Sequence, residues 1–130
     1  MPLSLSASVE AFLAEPHLAT LTTFRPDGSP HVVPVRFTWD IEAGLARVMT
    51  VASSRKARNL AANPEGRAAL CQVAGFRWIT LEGVATVSDD PVRVAEGARR
   101  YAERYSSPPP NPPGRVVVKL AVGRAMSLNT

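Results

Sequence analysis

Cysteine is almost missing from this 130-residue chain: Cys71 stands alone. No intrachain disulfide can therefore form, and nothing in the cysteine usage points to an oxidising compartment. The two histidines, His17 and His31, have no spacing with each other or with Cys71 that would chelate a metal, so no metal site is expected. No apolar stretch approaches the roughly 20 residues needed to cross a bilayer. The N-terminus lacks a basic region followed by an apolar core, so no signal peptide is expected and the cytoplasm is the expected location. Lysine is scarce too, occurring only at Lys56 and Lys119, yet arginine carries the net charge to +4 and the isoelectric point to about 10.0. These cations are scattered and not interleaved with aromatics, which speaks against nucleic acid and leaves anionic small molecules or phosphates as suited partners. There is also no Gly-x-Ser-x-Gly, no His-Glu-x-x-His and no nucleotide-type glycine loop.

What is present belongs to a globular protein. Hydrophobic residues make up 45% and charged residues 20%, enough for one core, and residues 1–130 read as a single domain. Ser6 to Glu15 is a short helix with Val9, Phe12 and Leu13 on one face, stopped by Pro16. Leu18 to Phe24 is threonine-rich and β-favouring. Arg25-Pro26-Asp27-Gly28 is a turn, with Pro26 presetting φ and Gly28 tolerating a positive φ. Ser29 to Trp39 is the returning strand; its internal Pro34 cannot donate to a ladder and belongs at an edge or a bulge. Leu45 to Val51 is a further strand, Ser54 to Ala62 a helix closed by Asn63-Pro64. Arg67 to Val73 and Trp78 to Ser88 are two more strands. The second alternates Ile79, Leu81, Ala85 and Val87 against Thr80, Glu82, Thr86 and Ser88. Pro91 opens a longer helix with Val94, Ala98, Tyr101 and Tyr105 on one stripe and Glu96 placed to pair with Arg100. The proline-dense run Ser106 to Gly114 is read as an in-domain connection rather than a docking peptide, because the strand Arg115 to Gly123 follows it. Hairpin turns and alternation favour antiparallel pairing, hence a small, mainly β barrel with flanking helices.

The segment Met49-Thr50-Val51-Ala52-Ser53-Ser54-Arg55-Lys56-Ala57-Arg58-Asn59-Leu60 carries the most chemistry. A strand runs into a serine pair and then into a helix with three cations in its first turn. Ser54 suits the N-cap, where its oxygen accepts an otherwise unpaired amide. Cations at a helix start oppose the dipole and ask for a compensating negative group, which a phosphate seated on the free amides would supply. The competing reading is a solvated surface helix in an arginine-rich protein. Glu82, in Leu-Glu-Gly, reads as a buried partner for an arginine.

Taken in order, Pro-Asp-Gly-Ser-Pro-His-Val-Val-Pro-Val, Val-Ala-Ser-Ser-Arg-Lys-Ala-Arg-Asn-Leu and Trp-Ile-Thr-Leu-Glu-Gly resemble the flavin/deazaflavin oxidoreductase split β-barrel superfamily. This is the pyridoxamine 5'-phosphate oxidase-like group. The tail Arg-Arg-Tyr-Ala-Glu-Arg-Tyr-Ser-Ser-Pro-Pro-Pro-Asn-Pro and the final Arg-Val-Val-Val strand are most similar to its F420-dependent branch, the actinobacterial biliverdin reductases. The resemblance covers nearly the whole chain and implies a six-stranded antiparallel split β-barrel of the FMN-binding type. It implies coenzyme F420 as cofactor, with FMN as the alternative, and a homodimer holding the cofactor at the subunit interface. By the same resemblance Ser53, Ser54, Lys56 and Arg58 hold the cofactor phosphate. His31, Val33, Pro34 and Val35 border the ring, and Thr50 and Val51 lie beneath it. Phe76 and Trp78 cover the cofactor from the partner subunit, although Trp78 alone would read as a core aromatic. Arg36 faces the substrate, in a catalytic role of binding it or stabilising developing charge. The arginine-rich C-terminal motif of true pyridoxamine phosphate oxidases is missing, which argues against oxidation of a vitamin B6 phosphate.

With so few reactive side chains, catalysis would rest on a cofactor that the polypeptide holds and orients. Three readings follow: an F420-dependent reductase of biliverdin or a similar conjugated molecule, an FMN-dependent oxidoreductase on the same fold, and a cofactor-binding protein without turnover.

Overall fold

A computed structural model of the chain describes residues 3–130. The elements run α1 (Ala7–Ala14), β1 (Ala19–Phe24), β2 (Pro30–Val35), β3 (Thr38–Asp40), β4 (Leu45–Val51), α2 (Arg55–Ala62), β5 (Arg67–Ala74), β6 (Arg77–Ser88), α3 (Pro91–Tyr105) and β7 (Arg115–Leu128). All strands pair antiparallel in one sheet of order β2-β1-β5-β6-β7-β4-β3. Among the described residues the sheet has seven strands, not the expected six, and its ladder does not close.

The extra strand arises where Ser29 to Trp39 was read as one continuous element. The chain leaves the ladder at Arg36 and Phe37 because the Phe37 backbone finds another partner. Its N–H donates to the Tyr105 hydroxyl at 3.0 Å, and its carbonyl accepts from that hydroxyl at 3.0 Å. With both groups satisfied by a side chain, the strand can break without leaving buried polar groups unpaired. The halves then join opposite edges of the sheet, β2 beside β1 and β3 beside β4. Two linking residues reach only about 10 Å, so the edges meet at that point and the sheet curls into a barrel split along its length. Pro34 lies on the edge strand β2, opposite Thr20, where its missing donor costs no central ladder bond.

The barrel interior is filled from alternating positions, among them Leu21, Leu70, Ile79, Leu81, Ala85, Val118 and Leu120. Val9, Phe12 and Leu13 of α1 close one end, on the face read from the sequence. β7 extends five residues beyond the expected Gly123 by pairing along β6 past a bulge at Glu82 and Gly83. Gly83 is required there: a Cβ would lie 1.8 Å from the Ala121 carbonyl oxygen. Glu82 forms no ion pair among the described residues, and its Oε2 is buried without a hydrogen-bond partner, so the expected arginine is not supplied within the chain.

α3 is held against the barrel by charge and by close packing. Asp40, buried at the end of β3, pairs with Arg47 at 2.9 Å and with Arg100 of α3 at 3.1 Å. Burial pushes the Asp40 carboxyl up, but the Arg47 hydrogen bond, the Ala43 amide and the two guanidinium charges outweigh it and hold the carboxyl below its ordinary range. Arg100 also bonds Glu96 at 3.0 Å, the spacing expected from the sequence. Gly97 lets the helix approach: a Cβ there would meet the Met49 sulfur at 2.6 Å.

Arg104 completes the assembly. Its guanidinium donates to the carbonyls of Leu13 and Glu15 and, at 2.9 Å, to Oε1 of the buried Gln72. Gln72 in turn donates to the Phe12 carbonyl at 2.8 Å. Carbonyls at the end of α1 thereby gain donors from β5 and α3 beyond the local backbone bonds to Phe12 and Glu15. Arg104→Met, which keeps the aliphatic bulk, removes the guanidinium from the Leu13 carbonyl and the Gln72 amide oxygen and leaves the Glu15 carbonyl with the His17 amide alone. It should lower the unfolding free energy by about 3 kcal/mol, measured by denaturant titration.

Candidate functional site

Strand β4 runs toward solvent at Met49, Thr50 and Val51, and α2 begins after three intervening residues. That change of direction opens one side of a cleft of about 340 Å³. The floor is Val48 to Val51, one wall is Pro34, Val35 and Arg36 at the end of β2, and Tyr101 of α3 lies across it. The proline connection forms the remaining wall through Pro109, Pro110 and Pro112, with Pro109 buried.

The cleft is one-signed. Arg36, Lys56 and Arg115 line it, no Asp or Glu does, and among the described residues none of the three forms a salt bridge. Burial holds the Lys56 ammonium below the usual lysine range. At the start of α2, Ser54 is the N-cap expected from the sequence: its Oγ accepts from the Ala57 amide at 3.3 Å. The same oxygen donates to the Val51 carbonyl at 2.8 Å and accepts from the Thr50 hydroxyl at 3.1 Å, which ties the strand end to the helix start. The amides of Arg55 and Lys56, at the first two helical positions, have no intrahelical acceptor, and α2 has no acid in its first turn. Cations, free amides and the dipole all favour an anion here.

Arg115 opens β7 opposite Val51. Its Nη1 donates to the Pro110 carbonyl at 3.2 Å, and its Nε is buried without a partner. An orphaned guanidinium N–H beside apolar walls fits a carboxylate or phosphate oxygen. Prolines, valines and a methionine around that charge suit a flat, apolar ring system with negative groups at its edge.

Arg36 is held in place by aromatic rings of α3. Its Nη1 donates to the Tyr101 hydroxyl at 2.9 Å, and its guanidinium lies 4.8 Å from the Tyr105 ring centre. The two tyrosines, four residues apart on one stripe, are themselves in contact.

Of the residues named from the sequence, Pro34, Val35, Arg36, Thr50, Val51 and Lys56 line the cleft together. Ser54 underlies it as the cap. Val33 turns toward the core, and Ser53 and Arg58 are exposed on α2 and its approach. His31 is not a lining residue, yet it senses the seat: burial lowers its pKa, and the charges of Arg25, Lys56 and Arg55 lower it further. Its Nδ1 is buried and unpartnered. Phe76 and Trp78 lie at the β5–β6 hairpin, outside the cleft of their own chain. Phe76 is 90% exposed, and Trp78 is half-buried between Val73 and Leu128. Sequence reasoning missed Tyr101, Arg115 and the proline wall as site residues. The tyrosine stripe was visible, but only the pairing of Val51 with Arg115 brings β7 to the cleft.

His31 should titrate below its ordinary 6.5, being neutral at pH 7. Phosphate or pyrophosphate bound at the α2 N-terminus offsets the neighbouring cations and should raise that midpoint. An NMR titration of the His31 ring protons, with and without the anion, measures both effects.

The protein-family model for pyridoxamine 5'-phosphate oxidase matches residues 5–128. The chain is 49% identical over 122 residues to an F420H(2)-dependent biliverdin reductase of Mycobacterium tuberculosis, covering 94% of this chain and 87% of that protein. Among solved structures it is similar to a conserved hypothetical protein of Mycobacterium tuberculosis, at 26% identity and a TM-score of 0.80, covering 97% of this chain and 85% of the other. It is similar also to an F420 reductase, at 25% identity and a TM-score of 0.75, covering 94% and 98%. With a match along nearly its whole length, the chain belongs to the pyridoxamine 5'-phosphate oxidase family.

Proposed function

We propose that this protein is an F420-dependent oxidoreductase that reduces a conjugated, acidic small molecule, with biliverdin as the leading substrate. The observation that carries the reading is the apolar cleft charged by Arg36, Lys56 and Arg115 with no carboxylate among its lining residues, opening at the capped N-terminus of α2. The 49% identity to a protein named as an F420H(2)-dependent biliverdin reductase supports the choice of cofactor and substrate. The chemistry that a reduced deazaflavin supplies is a hydride from a ring carbon. The chain's own residues bind, orient and shield. Lys56 and the first amides of α2 take the phosphate, Val35 and Val51 offer flat apolar surface to the ring, and the proline wall keeps water from that side. Arg36 meets a carboxylate of the substrate or the charge developing on it.

FMN is the alternative cofactor, favoured by the family to which the chain belongs. Parallel titrations of the purified protein with F420 and FMN separate the two: tighter binding of F420 supports the reading, and tighter binding of FMN overturns it. Lys56→Ala should weaken F420 binding about 10- to 100-fold, the worth of a charge-assisted hydrogen bond. Wild-type affinity should fall as pH rises through the depressed Lys56 pKa, because only the ammonium form attracts the phosphate. Lys56→Arg, which stays charged, should move that decline to higher pH. If bound reduced cofactor is never reoxidised by biliverdin or another acceptor, the protein is a carrier or sensor instead.

In this reading the active form is a homodimer. Phe76, Val73, Met126 and Leu128 form exposed apolar surface around the hairpin of β5 and β6 and the end of β7, the kind of surface a second subunit covers. Light scattering of the purified protein should give a dimer mass, and Phe76→Ser should shift it toward monomer. A monomeric wild type would overturn this part of the reading.

A further inference from the structure

Reducing a conjugated acceptor takes a proton as well as a hydride, and the cleft holds few groups able to give one. It has no carboxylic acid, histidine or cysteine. Arginine does not release its proton, the Lys56 ammonium is assigned above to the cofactor phosphate, and the Thr50 hydroxyl is already spent on Ser54. The two tyrosines of α3 differ sharply in this respect. The Tyr105 hydroxyl is fully used: it accepts from the Phe37 amide and from Arg104 Nε, and donates to the Phe37 carbonyl. The Tyr101 hydroxyl accepts from Arg36 at 2.9 Å, and among the described residues its own hydrogen has no acceptor. Tyr101 lines the cleft and Tyr105 does not.

We propose that Tyr101 is the proton donor of the reaction, a catalytic residue held in position by Arg36. The proposal rests on the oxidoreductase reading above. A C–H bond forms at the acceptor carbon with the electron pair delivered as hydride from a reduced deazaflavin, which is oxidised by two electrons. The conjugated π system shifts its electrons to a ring nitrogen or oxygen, and an N–H or O–H bond forms there as the Tyr101 O–H bond breaks. The tyrosinate keeps the Arg36 hydrogen bond, now between opposite charges and therefore stronger. Water, which reaches this partly exposed side chain, returns the proton. Arg36 thus has a second task beside substrate binding: it occupies a lone pair of the phenol oxygen and so directs the hydrogen elsewhere.

The test compares wild type with Tyr101→Phe, which removes one oxygen atom. With F420H2 bound and biliverdin saturating, single-turnover reduction should slow about 100-fold or more, the usual worth of general acid catalysis. The solvent deuterium isotope effect on the wild-type rate should disappear. F420 affinity, read by fluorescence, should stay within about threefold, which also reports an intact fold; no cofactor contact is removed, so any change should stay well under the tenfold that 1.4 kcal/mol represents. Without cofactor, biliverdin bound to the wild-type protein should show a shifted visible band that Tyr101→Phe abolishes. Unchanged rate and isotope effect in Tyr101→Phe would overturn the proposal, as would an isotope effect lost instead in Lys56→Ala at saturating F420, which would make Lys56 the donor. A parallel loss of F420 binding in Tyr101→Phe would make Tyr101 structural and likewise overturn it. A wild type that binds no F420, or reduces no acceptor, would instead remove the oxidoreductase reading, and this proposal with it.

Discussion

Arg104 carries a guanidinium to a place where three carbonyl oxygens converge, two from the end of α1 and one from the buried amide of Gln72; the Glu15 carbonyl also accepts from the His17 amide at 2.8 Å. The charge offsets much of the cost of removing those oxygens from water, and the oxygens offset the cost of removing the charge. The neighbouring residue, Tyr105, uses its hydroxyl to satisfy the Phe37 backbone where β2 ends and β3 begins. The last turn of α3 thus secures the lid of the barrel and the crossing between its two edges. The rest of the cleft geometry depends on it, since Arg36 is the residue immediately before Phe37.

The cleft puts stability and binding in opposition. Cations in the first turn of α2 oppose the helix dipole, and a half-buried lysine with no acidic partner is costly to keep charged. A fold under selection for stability alone would place Asp or Glu at these positions. Here carboxylates are abundant elsewhere, pairing with Arg77, Arg99 and Arg100 on the outer surfaces, and are kept away from Arg36, Lys56 and Arg115. A set of cations without acidic partners among the described residues, in a concave, largely apolar site, is preorganised for an anion, because none of them has to be released from a carboxylate before binding.

Tyr101 and Tyr105 show how one helix contributes both to the fold and to the cleft. Tyr105 and Arg104 are consumed by the fold, whereas Tyr101, one turn earlier, accepts one hydrogen bond and, among the described residues, its hydrogen has no acceptor. A stripe of tyrosines at helical spacing therefore contains two different kinds of residue. Only their partners, drawn from distant parts of the chain, tell them apart.

The sequence by itself determined the local elements. Ser54 as an N-cap, Pro91 opening α3, the turn at Gly28 and the apolar face of α1 all follow from short-range preferences acting within a few residues. The cationic start of α2 was legible for the same reason, being contiguous, and so were the cleft residues of β2 and β4 through their family resemblance. Tertiary structure alone decided that Ser29 to Trp39 breaks into strands on opposite edges, because the acceptor and donor that replace the ladder come from Tyr105, 68 residues away. It also decided that Arg115 and the proline connection belong to the cleft, since that depends on β7 pairing with β4, and it left Glu82 without an arginine. Periodicity and capping read contacts near in sequence. Strand order, and the long-range hydrogen bonds that permit it, are set by which buried polar groups find partners when the sheet curls.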